Sequence, residues 1–181
     1  MKKLALTILT AILGISSYAQ DHMTFKGIEI NGTPTQMAKN LEKVGFSLIE
    51  SNDYKSTKME GKFAGFDATI NIIPNNEGQA YAILAVYKED LETWSQLQNR
   101  FSFLENILIE KYGEPTHTTK DAENLALIYL DRGEWESIWI TEKGNIMLFI
   151  SASNHRSGTV GLGYSDKINN EVNINQAYQD L

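Results

Sequence analysis

Residues 66–87 read FDATINIIPNNEGQAYAILAVY and contain the clearest strand pattern in the chain. In the first part of this segment, polar residues alternate with the apolar residues Phe66, Ala68, Ile70 and Ile72. Such alternation has the period of a β-strand with one buried face. The following residues, Asn75-Asn76-Glu77-Gly78, have the composition of a hairpin turn. We therefore predict two strands, at about 66–73 and 79–87, on either side of this turn.

A helix should precede these strands, at residues 34–44. Thr33 can cap it, Pro34 suits its first position, and Gln36 completes a capping box. Gly45 can end the helix in the left-handed conformation that glycine adopts readily. Strand-like segments lie on both sides of the helix, at about 25–30, 46–51 and 55–62.

A second, longer helix is predicted at about 90–112. Its apolar side chains recur every three or four residues, at Leu91, Trp94, Leu97, Phe101, Leu104 and Leu108. Gly113 and Pro115 then mark its end. Five further strands are predicted at about 116–120, 125–131, 135–141, 145–152 and 158–165. The polar, Asn-rich residues 166–181 are expected to form a loosely attached tail.

The two halves of the chain repeat the same order, a helix followed by several strands. Leu41-Glu42-Lys43-Val44-Gly45 also matches Ile109-Glu110-Lys111-Tyr112-Gly113. We therefore predict one α+β domain over 20–165, built from two degenerate repeats at about 25–88 and 90–165. The repeats would form one mainly antiparallel sheet, with the two helices on one face.

This repeated order of elements resembles the tandem helix-plus-sheet modules of the beta-lactamase inhibitor protein and of small periplasmic assembly proteins. The resemblance lies in architecture alone and covers nearly all of 25–165. It implies two modules joined edge to edge, with the outer sheet face gripping a partner protein. Inhibitors of that type carry disulfides, whereas this chain has no cysteine.

The first 19 residues have the three parts of a secretory signal: Lys2-Lys3, an apolar run over 4–15, and small residues at Ser17 and Ala19. We expect cleavage after Ala19 and a location in the periplasm or outside the cell. No membrane span is expected to remain, because no second apolar segment approaches the required length. Cleavage removes two of the 16 basic residues and none of the 23 acidic residues, so the net charge changes from −7 to −9. Such a charge argues against nucleic-acid binding.

Residues that could carry catalysis or bind a metal are few. Glu134 and Glu136 lie on one face of a predicted strand and could act as an acid–base pair, together with His117 or His155. The histidines lack the spacing of a metal site. The Gly161-Leu162-Gly163 segment lacks the third glycine of a dinucleotide fingerprint. The sequence predicts no metal and no cofactor, and it favours a non-enzymatic function.

Several predicted strands are apolar on both faces, as in AYAILAVY at 80–87 and IMLFI at 146–150. Two helices can cover one face of the sheet, so the other face should be covered by curvature of the sheet onto itself, by the C-terminal tail, by a second copy of the chain or by a protein partner. We favour a protein partner or a second copy. The candidate anchors of this contact are Tyr81, Tyr87, Tyr129, Trp135, Ile138, Trp139 and Phe149. We thus predict an exported binding module that acts through a sheet face. The alternative is an exported hydrolase that uses Glu134, Glu136 and a histidine.

Overall fold

A computed structural model describes residues 21–51, 56–88 and 93–172. In chain order, the elements of the first half are β1 (Thr24–Phe25), β2 (Ile28–Glu29), α1 (Pro34–Glu42), β3 (Ser47–Glu50), β4 (Thr57–Phe63), β5 (Phe66–Pro74) and β6 (Ala80–Tyr87). Those of the second half are α2 (Trp94–Tyr112), β7 (His117–Lys120), α3 (Leu125–Tyr129), β8 (Trp135–Thr141), β9 (Gly144–Ala152) and β10 (Gly158–Asp166). A helical segment follows at 167–172.

The helices begin where the chain supplies side chains that cap them. The Thr33 hydroxyl accepts a hydrogen bond from the Gln36 backbone N–H, and the Gln36 side chain accepts one from the Thr33 N–H. Thr93 and Gln96 form the same capping box at the start of α2. This second box places the start of α2 at Trp94, later than predicted. Residues 90–92 of the predicted helix lie outside the described residues.

Strands β3–β10 form one antiparallel sheet in the order β3-β4-β5-β6-β10-β9-β8-β7. Strands β6 and β10 meet at its centre, and each half of the chain supplies four neighbouring strands. The predicted α+β class and mainly antiparallel sheet are therefore confirmed. From each long helix onward, element order is the same in both halves apart from α3, while the first half also begins with β1 and β2. The predicted repeat stays a prediction.

Helices α1 and α2 pack against the same face of the sheet, which we call the inner face. Helix α1 contacts β3, β4 and β5, and α2 contacts β9 and β10. Strand pairing aligns one row of inner-face side chains across the sheet: Met59, Ile70, Ala85, Leu162 and Leu148. Each of these is at most 2% exposed. Burial of this row between helices and sheet forms the core.

The strand predicted at 125–131 is wrong, because residues Leu125–Tyr129 form α3. The Asn124 side chain accepts a hydrogen bond from the Leu127 N–H and so caps the helix. A short apolar run has no periodicity that separates a strand from a helix, so the cap and the surrounding fold decide its conformation. Leu125 is buried, whereas Tyr129 is 46% exposed.

The predicted tail begins with residues that the structure ties firmly to the domain. Asp166 ends β10, is fully buried, and accepts hydrogen bonds from the backbone N–H groups of Met23 (2.7 Å) and Asn169 (2.8 Å). The Asn169 side chain donates to the carbonyl oxygens of Ile30 and Ala80. Asp166 and Asn169 are therefore firmly attached to the domain, whereas the sequence predicts a loosely attached tail from residue 166 onward. Residues 173–181 of that segment lie outside the described residues.

The predicted signal peptide at 1–19 also lies outside the described residues. Within the part of the chain that the structure describes, none of the helices combines the length and apolar character needed to cross a bilayer.

Candidate functional site

The sheet face opposite α1 and α2, which we call the outer face, carries an apolar groove of about 490 Å³. We define the outer groove by the apolar side chains and the glycine that line it across five strands: Ile73, Ala82, Leu84, Ile138, Met147, Phe149 and Gly163. Most of these residues are half-buried, although neither α1 nor α2 lies on this face. The groove is thus an apolar surface on the sheet face that α1 and α2 leave uncovered.

Two glycines of β10 shape this groove. Gly163 pairs with Leu84 on one side and with Met147 on the other. A Cβ atom at Gly163 would have no neighbour closer than the Met147 carbonyl oxygen, at 3.9 Å. At Gly161, by contrast, a Cβ atom would lie 2.3 Å from the Phe149 ring. Gly161 therefore accommodates the Phe149 ring, while Gly163 leaves an open floor.

Two of the seven predicted anchors, Ile138 and Phe149, line the outer groove. Tyr87 and Trp139 lie on the inner face, where they are 3% and 2% exposed. Trp135 also lies on the inner side, since its ring packs edge-on against Trp94 of α2. Tyr87 and Trp139 are therefore part of the core, and Trp135 is partly buried and packs against it.

The remaining two anchors lie elsewhere. Tyr129 is on α3, where its ring packs against His155 at 4.6 Å between ring centres. Tyr81 is half-buried and falls at the register shift between Ile73 and Pro74 in the pairing of β5 with β6. Five residues of the outer groove are not among the predicted anchors: Ile73, Ala82, Leu84, Met147 and Gly163. The sequence holds a signal for Gly163, because Gly161 and Gly163 are two residues apart and must share one face of β10.

Carboxylates border the groove on the side of β8. Asp121, Asp131, Glu134 and Glu136, which we call the acidic flank, line a pocket of about 360 Å³ together with Arg132. Burial is the largest cause of a raised pKa at Glu136; the charge of Glu134 raises it further, and His117 acts in the opposite direction. The Asp121 carboxylate accepts a hydrogen bond from the Glu134 N–H at 2.7 Å.

The structure brings together three of the residues considered for acid–base chemistry. Glu134 and Glu136 share the pocket, and His117 lies on the neighbouring strand, near enough to affect the pKa of Glu136. His155 is not part of this group, because it lines a separate pocket with Trp94. Within the described residues, no group of three or more His, Asp or Glu side chains is placed to hold a metal ion.

The fold and this surface define an α+β protein with an antiparallel eight-stranded sheet whose outer face carries an apolar groove. No known family model, curated protein or solved structure matches the chain.

Proposed function

We propose that this protein is an exported, non-enzymatic binding module that holds another polypeptide in the outer groove. The observation that carries the proposal is the apolar groove on the one sheet face that neither long helix covers. Export rests on the predicted signal peptide at 1–19. The repeated helix-then-strands order also fits the resemblance to tandem modules whose outer sheet face grips a partner protein.

The groove suits an apolar side chain from a partner. Its floor is the bare backbone at Gly163, and its walls are Leu84 and Met147 on the neighbouring strands. Moving a leucine- or phenylalanine-sized side chain from water into such a site contributes about 1.5–3 kcal/mol. Several half-buried apolar neighbours would extend the contact, and the charged border would orient it.

A photo-crosslinker in the groove tests the proposal. Benzoylphenylalanine replacing Met147, which is 37% exposed on the outer face, should form an adduct with a polypeptide in the native envelope or exported fraction. The same probe replacing Phe103, which is 49% exposed on α2, should form none. Mass spectrometry of the adduct identifies the polypeptide.

The substitution Gly163→Phe, added to the protein that carries the crosslinker at position 147, should lower the adduct yield at least about tenfold, because the phenylalanine ring fills the groove. Gly163→Ala is the matched control and should change the yield little, since a Cβ atom fits there. Both variants should keep the thermal midpoint of the parent. Equal yields from positions 147 and 103, or a yield unaffected by Gly163→Phe, would contradict the proposal.

A second candidate function, hydrolysis by Glu136 and Glu134 with His117, is favoured by one observation. These carboxylates line a pocket, and the pKa of Glu136 is raised by burial and by Glu134, as a general acid requires. Under our proposal, the purified protein turns over neither glycan nor peptide substrates, and Glu136→Gln changes nothing in that assay. Turnover that falls about 100-fold or more in Glu136→Gln would instead establish the hydrolase.

A further inference from the structure

The outer groove and the acidic flank form one continuous surface. Met147 and Phe149 line both the apolar groove and the acidic pocket. Strand pairing places Glu136 directly beside Phe149, and Ile138 directly beside Met147. A chain segment lying in the groove therefore reaches the carboxylates without leaving the surface of the sheet.

The charges on this side of the groove are strongly unbalanced. Four carboxylates line the pocket, and Arg132 is the basic residue that lines it with them. Glu134 and Glu136 are two residues apart on the same side of the chain, so their negative charges repel each other. The raised pKa of Glu136 has this repulsion as its second cause, after burial. A cation placed here would relieve the repulsion.

The opposite border of the groove differs. On β4, the exposed Lys58 and Lys62 alternate with Glu60, which pairs with Lys88. Asp67 on β5 lies directly beside Lys62, and Glu50 on β3 lies directly beside Lys58. Positive and negative charges are therefore mixed on that side. The β8 side of the groove, with four carboxylates and one arginine, therefore presents a net negative charge to a bound segment.

We propose that the occupant of the outer groove is a polypeptide segment that combines an apolar side chain with a lysine or arginine a few residues away. This inference rests on the proposed function and names the chemistry of its partner. The apolar side chain enters the groove over Gly163, and the basic side chain pairs with Glu134 and Glu136.

The spacing follows from the geometry of the sheet. Gly163 on β10 and Glu136 on β8 are two strands apart, which is about 10 Å across the sheet. Glu136 also lies one residue pair, about 7 Å, farther along β8 than Ile138, the residue level with Gly163. The two sites are therefore about 12 Å apart. An extended segment spans this distance in two or four residues, once the length of a basic side chain is added, and both spacings place the two side chains on the same side of the segment.

A second copy of the chain fits the groove less well. The mature chain carries a charge of −9, so two copies repel each other, and a cationic segment is attracted. Charge complementarity therefore favours a basic partner over self-association.

Three short synthetic peptides in a Gly-Ser background test the inference. The first contains Phe-Ser-Ser-Ser-Arg, in which both side chains lie on the same side of an extended segment; the second replaces its Arg by Glu, and the third replaces its Phe by Ser. Titration into isotope-labelled protein 20–181 should shift the amide signals of Gly163, Met147 and Glu136, with a Kd for the first peptide on the order of 1 mM or tighter. The second should bind at least about fivefold more weakly, and the third should not shift Gly163. High salt should reduce the difference in affinity between the Arg-containing and the Glu-containing peptide, because it screens the charges.

Charge reversal provides the sharper comparison. The variant Glu134→Lys with Glu136→Lys should reverse the preference and bind the Glu-containing peptide more tightly than the Arg-containing one. The matched control is Glu110→Lys with Glu114→Lys, two exposed positions outside the sheet. It changes the net charge equally and should keep the preference for arginine. If the lysine pair unfolds the protein, the pair Glu134→Gln with Glu136→Gln should abolish the preference in either direction.

The outcomes separate this inference from the proposed function. Equal binding of the Arg and Glu peptides would overturn the inference of a basic partner. The same holds if the control variant Glu110→Lys with Glu114→Lys loses its preference for arginine, because net charge alone would then explain the preference. A concentration-dependent shift of the Gly163 signal without peptide would identify a second copy as the occupant and overturn it as well. In both cases an adduct from position 147 would leave the binding module standing. If no adduct formed from position 147, the proposed function as a binding module would itself be contradicted.

Discussion

Asp166→Ala will lower the free energy of unfolding by about 3–5 kcal/mol. The carboxylate is fully buried and accepts backbone hydrogen bonds from Met23 and Asn169, while His22 Nδ1 lies 3.1 Å from it. Alanine would leave these donors without an acceptor inside the protein, which costs more than the bonds contributed. Because small domains are stable by about 5–15 kcal/mol, the loss is a large fraction of the total. Urea unfolding of protein 20–181 measures it.

Asp166→Asn is the matched control, because it keeps one acceptor oxygen and the size of the side chain. It should lower the free energy of unfolding by about half as much as alanine does, because its NH₂ group faces an N–H donor from which a carboxylate oxygen accepts in the parent protein. Hydrogen exchange at the Met23 amide should quicken in the alanine variant, because this bond holds the antiparallel pair β1–β2 to the end of the sheet. A loss below about 1 kcal/mol in alanine would show that water replaces the carboxylate.

Trp139→Ala will cost about 3–5 kcal/mol of unfolding free energy. Trp139 is among the largest fully buried side chains of the described core, and its indole N–H donates to the Gly113 carbonyl oxygen at 2.8 Å. Alanine would leave a cavity between β8 and the end of α2 and would remove the bond that joins them. The midpoint of urea unfolding should fall with little change in slope.

Trp139→Phe separates the two contributions. It retains much of the buried volume and loses the hydrogen bond to Gly113, so its cost should be about 1–2 kcal/mol. Neither substitution should change the adduct yield from position 147 while the protein remains folded, because Trp139 faces the helices. An alanine variant of unchanged stability that loses the adduct would show that Trp139 contacts the partner, as the sequence had suggested.

Local sequence patterns predicted most elements of the fold correctly. The capping box at Thr33 and the hairpin turn at 75–78 depend on residues close together in the chain, and both occur as expected. The run at 125–130 was assigned to a strand because its residues are apolar throughout, a property shared by buried strands and short helices. There the Asn124 cap outweighed the strand pattern.

Asp166 shows a different reason for failure. Its neighbours in sequence are polar, which is typical of a chain terminus, and its hydrogen-bond partner Met23 is 143 residues away. Composition reports the immediate neighbourhood, whereas the burial of a carboxylate depends on donors brought from elsewhere in the chain. No local signal could have distinguished Asp166 from the residues that follow it.

Of the seven anchors that the sequence predicts, only Ile138 and Phe149 line the outer groove. Alternation along β8 and β9 shows which side chains share a face, so Trp135 and Trp139 had to lie opposite Ile138. Both faces are apolar, however, and alternation alone does not say which one meets the helices. The sequence therefore established the two long helices, most of the strands and the apolar character of both strand faces. The docking of α1 and α2 buried Trp139 and left Ile138 in the groove, because packing joins surfaces far apart in the chain.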